Sequence, residues 1–307
     1  MQTSIAYCLQ APVNVPETPN FEAWATQWFG APHASQLPID RAIRSAFAAD
    51  RIGWAFASAY QAALQALVPG ARAGAMLSLC VTEKAGNRPR DIETRIEVLA
   101  DGSVRVHGSK RWAMIGDAPT TLLVVGVTEA AAPGGVPHLR VVQVPVGTAG
   151  LSIQHTQPTR FVPEVPHCAV ELSAVEFGTE ALLPGDGYAQ YMKPFRTLED
   201  VYVAAATLAY LMREARANCW PTDYMERLAA ALAAVHAIAQ QAPLEPVTHI
   251  LLSGALQIVR GLREEATALW AHANDASAER WRRDCALFDV ADTARRLRRE
   301  RAWENLL

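Results

Sequence analysis

Leu79-Cys80-Val81-Thr82-Glu83-Lys84-Ala85-Gly86-Asn87 is followed, after a β-rich segment, by Gly108-Ser109-Lys110-Arg111-Trp112. The first stretch predicts a strand that ends in a loop of small residues. In such a loop, backbone N–H groups and short hydroxyl or amide side chains can approach a cofactor closely. The second stretch predicts a strand that presents the aromatic side chain of Trp112. Together they indicate a ligand site built on a sheet.

The residues around these two stretches alternate between apolar and polar, which predicts strands. Asp101-Gly102 joins two of the alternating runs and predicts a tight hairpin. The middle of the chain, residues 76–188, is therefore predicted to be an antiparallel, barrel-like β-domain. Its predicted strands are Leu77 to Thr82, Glu93 to Leu99, Val104 to Trp112, Thr121 to Val127, Leu139 to Val146, Leu151 to His155 and Cys168 to Phe177.

Helical periodicity appears on both sides of this domain. Asp40 to Leu67 predicts one helix that ends before Pro69-Gly70, within an N-terminal helical region of residues 1–75. After residue 188 the helical period returns, which predicts a C-terminal helical bundle over residues 189–307. Two of its helices are predicted by the apolar faces Leu198, Val201, Ala205, Leu208, Met212 and Met225, Leu228, Leu232, Val235, Ala239, and two more run from Val247 to Trp270 and from Leu287 to about Trp303.

Composition is that of a soluble, enzyme-sized protein. The chain has 307 residues, of which 50% are hydrophobic and 19% charged, and a net charge of −3 gives no general attraction to nucleic acid. Its five cysteines stand far apart, without the spacing of a metal site or a disulfide framework. We read no signal peptide and no membrane span, because Leu228 to Ala239 is too short and too alanine-rich to cross a bilayer. We therefore expect a cytoplasmic protein.

Four motifs in one order and spacing resemble the acyl-CoA dehydrogenases. Besides the opening stretch, they are Asp101-Gly102 with Gly108 to Trp112, Phe161 to Tyr188, and Leu198 to Leu208. The resemblance covers about Ile43 to Ala209. It implies an α+β fold with an N-terminal helical region, a central antiparallel β-barrel-like domain and a C-terminal helical bundle.

The resemblance also implies an activity, the α,β-dehydrogenation of an acyl thioester such as acyl-CoA. FAD would be the cofactor, an unidentified acceptor would receive the electrons, and the protein would form a homodimer or homotetramer. The alternative is a degenerate protein of this fold that binds a ligand or partner without flavin catalysis. It is favoured by the absence of the family's R-x-x-F-G-x-P-I and G-G-x-G elements from the C-terminal region.

Five residues match cofactor positions of the family. Val81 and Thr82 match the contacts to the pyrimidine end of the flavin, Trp112 matches the aromatic that packs on the ring system, and Asn87 falls near the serine that binds pyrophosphate. Met114 stands where the family has a threonine that hydrogen-bonds flavin N5, a bond that a thioether cannot donate. Taken singly, Thr82, Asn87 and Trp112 are equally a strand end, a turn residue and a core aromatic.

Glu199 is the candidate catalytic base, since some family members place a glutamate on this helix. Otherwise it is a first-turn carboxylate that complements the helix dipole, with Thr197 as the N-cap. Asp200 replaces the family's arginine and would raise the proton affinity of one carboxylate if both were buried. Arg196 either compensates this charge or forms an ordinary surface ion pair.

Two further features have open interpretations. The arginine-rich segment Ala294 to Trp303 is either a phosphate contact for a nucleotide-bearing cofactor or coenzyme, or a solvated helix face. His167 is either an acid or base, or a histidine that caps a strand edge.

Overall fold

A computed structural model of the chain describes residues 3–31, 37–70, 75–116, 118, 120–129, 135, 137–271 and 276–307. The chain divides into two compact units. The helical unit comprises Met1–Ala66, Thr159–Glu164 and Arg196–Leu307, and the β-unit comprises Leu67–Pro158 and Val165–Phe195.

The N-terminal part of the helical unit contains helices α1 Ser4–Gln10, α2 Phe21–Gly30, α3 Pro38–Phe47 and α4 Ile52–Leu67. The prediction of one helix from Asp40 to Leu67 is wrong, because the chain turns between α3 and α4. The amide of Ala49 donates to the carbonyl of Ala46 at 3.2 Å, which closes α3 with a tight last turn. No glycine or proline marks this turn in the sequence, so the helical pattern continues across it.

The C-terminal part of the helical unit contains α5 Lys193–Ala217, α6 Thr222–Ile238, α7 Pro246–Trp270, α8 Ala276–Asp284 and α9 Asp292–Glu304. The fourth predicted helix begins at Asp292 rather than Leu287, since a 3₁₀ turn precedes it. The predicted apolar faces are largely buried, as at Leu208, Leu232 and Val235. Tryptophans fill this core, with the rings of Trp270 and Trp281 4.9 Å apart.

Both ends of the chain pack in this one unit. Arg216 of α5 donates from Nη1 to the carbonyl oxygens of Cys8 and Ala11, each at 2.8 Å. Arg213 donates to the carbonyl oxygen of Ala49 at 2.7 Å. These charge-assisted bonds satisfy carbonyls at the ends of α1 and α3 and fix the N-terminal helices on α5.

The β-unit contains strands β1 Met76–Cys80, β2 Arg95–Val98, β3 Val104–Met114, β4 Thr120–Glu129, β5 His138–Pro145, β6 Leu151–His155 and β7 His167–Phe177. Within the described part of the chain they form one sheet of seven strands in the order β1-β4-β2-β3-β7-β6, with β5 pairing β4. The predicted hairpin at Asp101-Gly102 is confirmed, because β2 and β3 pair antiparallel around it. Gly102 adopts φ +84°, which a residue with a side chain rarely takes.

Two features of the predicted β-domain are wrong. The sheet is open, since no pairing among the described strands closes it into a barrel. It is also mixed rather than antiparallel, because β1 pairs parallel to β4, with Met76 opposite Thr120, and β2 meets β4 in parallel at Val127. Alternation reports which face of a strand is buried, not the direction of its neighbour. The hydrophobic core of the β-unit is formed by Cys80, Ile96, Val104, Val106, Ala113, Ile115, Leu122, Val124, Val142, Val144, Cys168, Val170, Leu172 and Val175.

Among the described residues, no helix is both long enough and apolar enough to cross a bilayer.

Candidate functional site

A buried ion pair fixes the chain where β1 ends. The Lys110 ammonium contacts a carboxylate oxygen of Glu83, and the side chains are 0% and 5% exposed. The same carboxylate accepts the backbone N–H groups of Glu93 at 2.7 Å and Thr94 at 3.1 Å. With its lone pairs engaged by one cation and two amides, the buried charge is well compensated. The ion pair of Glu83 and Lys110 therefore has a structural role: it holds the end of β1 against β3.

The loop after Glu83 is held by a glycine. Gly86 adopts φ +149°, and a Cβ placed there would lie 2.5 Å from Oδ2 of Asp91. That oxygen also accepts the amide of Arg88 at 3.1 Å. Only glycine permits this close approach of loop and carboxylate. Asn87 lies in the loop, exposed.

The segment beside this loop presents an aromatic ring to solvent. The amide of Arg111 donates to the carbonyl oxygen of Thr82 at 2.8 Å, so the half-buried Thr82 lies next to the start of a bulge in β3. Trp112 lies in that bulge with φ +64°, and it is 55% exposed. A bulky residue in the left-handed region carries backbone strain, which is characteristic of functional positions. The exposed indole offers a stacking surface for a flat ring next to Thr82.

His167 borders the same indole. The rings of Trp112 and His167 are 6.0 Å apart in an edge-to-face arrangement. The Nδ1 atom of His167 is buried and has no hydrogen-bond partner within the described part of the chain. Burial lowers the pKa of this imidazole, so it is neutral near pH 7. The ring begins β7, as the strand-edge interpretation predicts.

Two other predicted cofactor residues face the protein interior to different degrees. Val81 is half-buried, and its carbonyl oxygen accepts from the Lys110 ammonium at 3.4 Å. Met114 is buried, and its amide donates to the Ser78 hydroxyl at 2.8 Å. The β-unit thus brings Val81, Thr82 and Trp112 together where β1 leads into its loop and β3 bulges. The thioether of Met114 lies inside it.

In the helical unit, Glu199 has a strongly perturbed carboxyl group. Burial first, and then the charge of Asp200, raise its pKa to about 7, while Arg295 and Arg196 oppose the shift. The interpretation as a first-turn carboxylate is wrong, because α5 begins at Lys193. Thr197 is buried inside this helix, so it does not cap it. A half-buried carboxyl that titrates near neutrality is suited to act as a general base.

Asp200 is held by two arginines of α9. Its Oδ1 accepts from Arg295 at 2.8 and 2.9 Å, and its Oδ2 is paired with Arg298. Arg298 also donates to the carbonyl oxygen of Arg196 at 3.1 Å, whereas the side chain of Arg196 is exposed. These two arginines fix the position of the Asp200 carboxylate, whose charge favours the protonated form of its neighbour Glu199.

Arg295 and Arg298 are neither the phosphate contact nor the solvated helix face that the two interpretations of the arginine-rich segment predict. The side chains of Arg295 and Arg298 are only 22% and 16% exposed, because Asp200 draws them against α5. The same helix therefore contains both internal and surface arginines.

Solved structures match the chain over most of its length. The prolyl acyl carrier protein oxidase AnaB is 15% identical, with 99% of this chain and 96% of that chain covered and a TM-score of 0.69. Butyryl-CoA dehydrogenase from Megasphaera elsdenii is 13% identical, with coverage of 92% and 90% and a TM-score of 0.66. FMN-bound TdsC from Paenibacillus sp. A11-2 is 16% identical, with coverage of 92% and 87% and a TM-score of 0.69. The chain has the acyl-CoA dehydrogenase fold.

No protein-family model and no curated protein sequence matches the chain. The acyl-CoA dehydrogenase fold confirms the predicted α+β class and the order of helices, sheet and bundle.

Sequence reasoning missed the Glu83–Lys110 pair, although both residues lie in the motifs that indicate the fold. Lys110 shares the even-numbered register of the buried Val104 and Val106, which was the signal that its side chain points inward. The residues that hold Asp200 were missed because they lie about 95 positions away in sequence. Among the described residues, no cluster of three His, Cys, Asp or Glu side chains is arranged to hold a metal ion.

Proposed function

We propose that the chain is a flavin-dependent oxidoreductase that removes one hydrogen from the α-carbon and one from the β-carbon of an acyl thioester. The observation that carries this proposal is Trp112. Its large apolar ring is held in strained backbone and left exposed beside Thr82, which is unfavourable unless a ligand covers it.

The residues beside the bulge of β3 fit a flavin. The indole of Trp112 matches the flat ring system in shape, and the hydroxyl of Thr82 supplies a polar contact. A bound flavin supplies a two-electron acceptor for hydride from the substrate β-carbon. We propose FAD as the flavin, as the family resemblance implies. Because TdsC binds FMN, the type of flavin in purified protein needs to be measured.

Glu199 is the proposed base. Its pKa of about 7 leaves roughly half of the carboxyl groups ionised at neutral pH, so the carboxylate oxygen can accept the α-proton and later release it. Asp200 cannot take this role as readily, because Arg295 and Arg298 engage both of its oxygens. The two adjacent carboxylates therefore have different roles: Glu199 moves a proton, and Asp200 holds the two arginines of α9.

Absorbance and proton exchange test the proposal together. Purified protein should show the bands of oxidised flavin, and an acyl-CoA or another acyl thioester should bleach them with an artificial acceptor restoring the colour. Glu199→Gln should keep the bands but lower the rate of α-proton exchange at least 100-fold. The exposed Glu264, on α7, gives the matched control Glu264→Gln, which should exchange at the wild-type rate. An unchanged rate in Glu199→Gln would eliminate this base.

A ligand-binding protein without flavin chemistry is the second candidate. Two observations favour it. Met114 is buried where a hydroxyl donor is expected, and Asp200 forms an ion pair with Arg295 of α9. Colourless protein that does not take up added FAD but binds an acyl thioester would select it.

We also propose a homo-oligomer assembled through α7. Val247, Leu251 and Ile258 are 54%, 48% and 55% exposed, and Gly254 lies between them on the same face. Their spacing of four, three and four residues is that of a helix–helix seam, and glycine permits close approach of a second helix. Sedimentation should give a dimer or tetramer, and Leu251→Glu should give monomers.

A further inference from the structure

The N-terminal helices α1 to α4 of the helical unit surround a cavity of about 240 Å³. Pockets for drug-sized ligands begin at about 300 Å³, so this cavity suits a ligand of one or two rings. Most of its aromatic lining is buried, whereas Gln27 and Ala48 on its wall are exposed. The cavity therefore opens to the surface and can be reached by a small molecule.

Three buried tryptophans form the inner wall of the cavity. The rings of Trp24 and Trp54 are 5.8 Å apart and within 9° of parallel, and the ring of Trp28 is 6.1 Å from that of Trp24. The indole N–H of Trp24 donates to the Ser58 hydroxyl at 3.0 Å, and that of Trp54 donates to the carbonyl oxygen of Thr18 at 2.9 Å. Because these two N–H groups are already hydrogen-bonded within the protein, the wall offers ring faces to a ligand.

The same wall is positively charged. Arg41 and Arg44 line the cavity, and no aspartate or glutamate is found among its described lining residues. The two arginines stand three positions apart on α3, so they lie on one face of that helix. A concave site with this charge favours an anion over a neutral ligand.

Both guanidinium groups lie against aromatic rings. That of Arg41 is 3.5 Å from the ring centroid of Trp28, and it donates to the carbonyl oxygen of Trp28 and to the side-chain oxygen of Gln65, each at 2.8 Å. Arg41 is 7% exposed, and burial lowers its pKa to about 9 because the cation loses hydration. The half-buried Arg44 lies 4.5 Å from the ring centroid of Tyr7. A bound anion would replace part of the hydration that these cations have lost.

The cavity is remote from the proposed base. Ala49 lines the cavity, and its carbonyl oxygen accepts from Arg213 of α5 at 2.7 Å. Arg213 follows Glu199 on the same helix by 14 positions, which is roughly 21 Å at the helical rise per residue. A ligand in this cavity therefore occupies a site of its own.

We propose that this cavity binds a small planar aromatic carboxylate. Its ring would stack on the indoles, and its carboxylate would pair with the guanidinium groups of Arg41 and Arg44. The ring faces alone would accept any small apolar molecule, and the arginines alone would accept any anion. Together they select a ligand that has both features. This inference concerns the helical unit alone and does not rest on the proposed flavin chemistry.

Calorimetric titration of the full chain with β-naphthoate, at ionic strength held constant with KCl, tests the site. Wild-type protein should bind one equivalent saturably. Arg44→Gln should weaken binding about tenfold, the equivalent of one charge-assisted hydrogen bond. A second cavity of the helical unit, beside Asp200, is also lined by arginines, and half-buried Arg299 is one of them. Arg299→Gln is therefore the matched control, and it should change the affinity less than about twofold.

Two further ligands test the proposal on wild-type protein, so the result does not depend on the folding of a variant. β-Naphthamide keeps the rings but has no charge, and it should bind about tenfold more weakly than β-naphthoate. Decalin carboxylate keeps the charge but is not planar, and it should bind about fivefold more weakly because it cannot stack on the indoles.

Four results would each overturn the proposal. They are failure of β-naphthoate to bind above the KCl background, equal affinity for the amide, equal affinity for the saturated carboxylate, and equal weakening in Arg44→Gln and Arg299→Gln. None of these measurements requires flavin or an acyl thioester. The outcome is therefore independent of the test of the proposed function.

Discussion

Two ion-pair arrangements, one in each unit, differ in what surrounds them. Lys110 and Glu83 in the β-unit are almost completely enclosed, and two backbone amides complete the coordination of the carboxylate. Asp200 and its two arginines line a cavity. An enclosed pair can only support the fold, whereas a pair with one open side can also respond to a ligand. Substitutions should therefore affect stability most in the β-unit.

Lys110→Met should produce the largest effect. It leaves the Glu83 carboxylate buried with two amides and no cation, which should lower the free energy of unfolding by about 3–5 kcal/mol. Urea denaturation measures this loss. The exposed pair of Arg105 and Glu176 provides the control, since Arg105→Met should cost less than about 1 kcal/mol. Similar losses in the two variants would refute the structural role of the Glu83–Lys110 ion pair.

Glu199→Gln should stabilise the protein at alkaline pH. The folded carboxyl has a pKa of about 7 against an ordinary value of 4.5, so folding favours its protonated form. Below about pH 4.5 both states are protonated, and the wild type loses stability as pH rises to about 7. At pH 8 the variant should be more stable by about 2–3 kcal/mol, with no difference at pH 4. Equal stability at both pH values would contradict the perturbed carboxyl.

Asp200→Asn should have a smaller effect on stability, about 1–2 kcal/mol, because water in the cavity can hydrate Arg295 and Arg298 once the charge is removed. It should also lower the pKa of Glu199, since the repulsion from a neighbouring carboxylate disappears. A carbon-13 NMR titration of the Glu199 carboxyl measures this shift. A loss as large as that of Lys110→Met would show that the two arrangements are equivalent.

Trp112→Gly should give the smallest change, and it should stabilise the protein, in contrast to Lys110→Met and Asp200→Asn. Glycine tolerates φ +64°, so the variant should gain about 1 kcal/mol while losing the flavin bands. Cys219, exposed at φ +52° in the helical unit, gives the control: Cys219→Gly should gain a similar amount and keep the flavin. If Trp112→Gly retains flavin fully, the indole does not form the site.

Local pattern was enough to predict most elements of this fold. Alternation identified the strands, Leu151 to His155 without error, and Asp101-Gly102 identified the hairpin. Strand direction could not be predicted, because β1 and β4 are paired by residues more than 40 positions apart. The break between α3 and α4 lacked a glycine or proline that would have revealed it.

The sequence could predict which residues belong to the candidate site but not how they are arranged. Trp112 and Glu199 were chosen from motif positions, and whether they hold a cofactor and a proton stays a prediction. The error at Thr197 arose because a π-helical turn, Tyr188–Met192, runs directly into α5. Such a turn has no simple sequence signal. The arginine-lined cavity beside Asp200 needs three helices from distant parts of the chain, so periodicity alone could not assemble it.

The position of β7 between β3 and β6 has a consequence for how the protein is made. During synthesis, β3 leaves the ribosome more than 50 residues before its partner His167–Phe177. Until then the nascent chain presents an unprotected strand edge that can pair with other chains. Chaperone demand should therefore peak in this window and fall once the seventh strand has been translated.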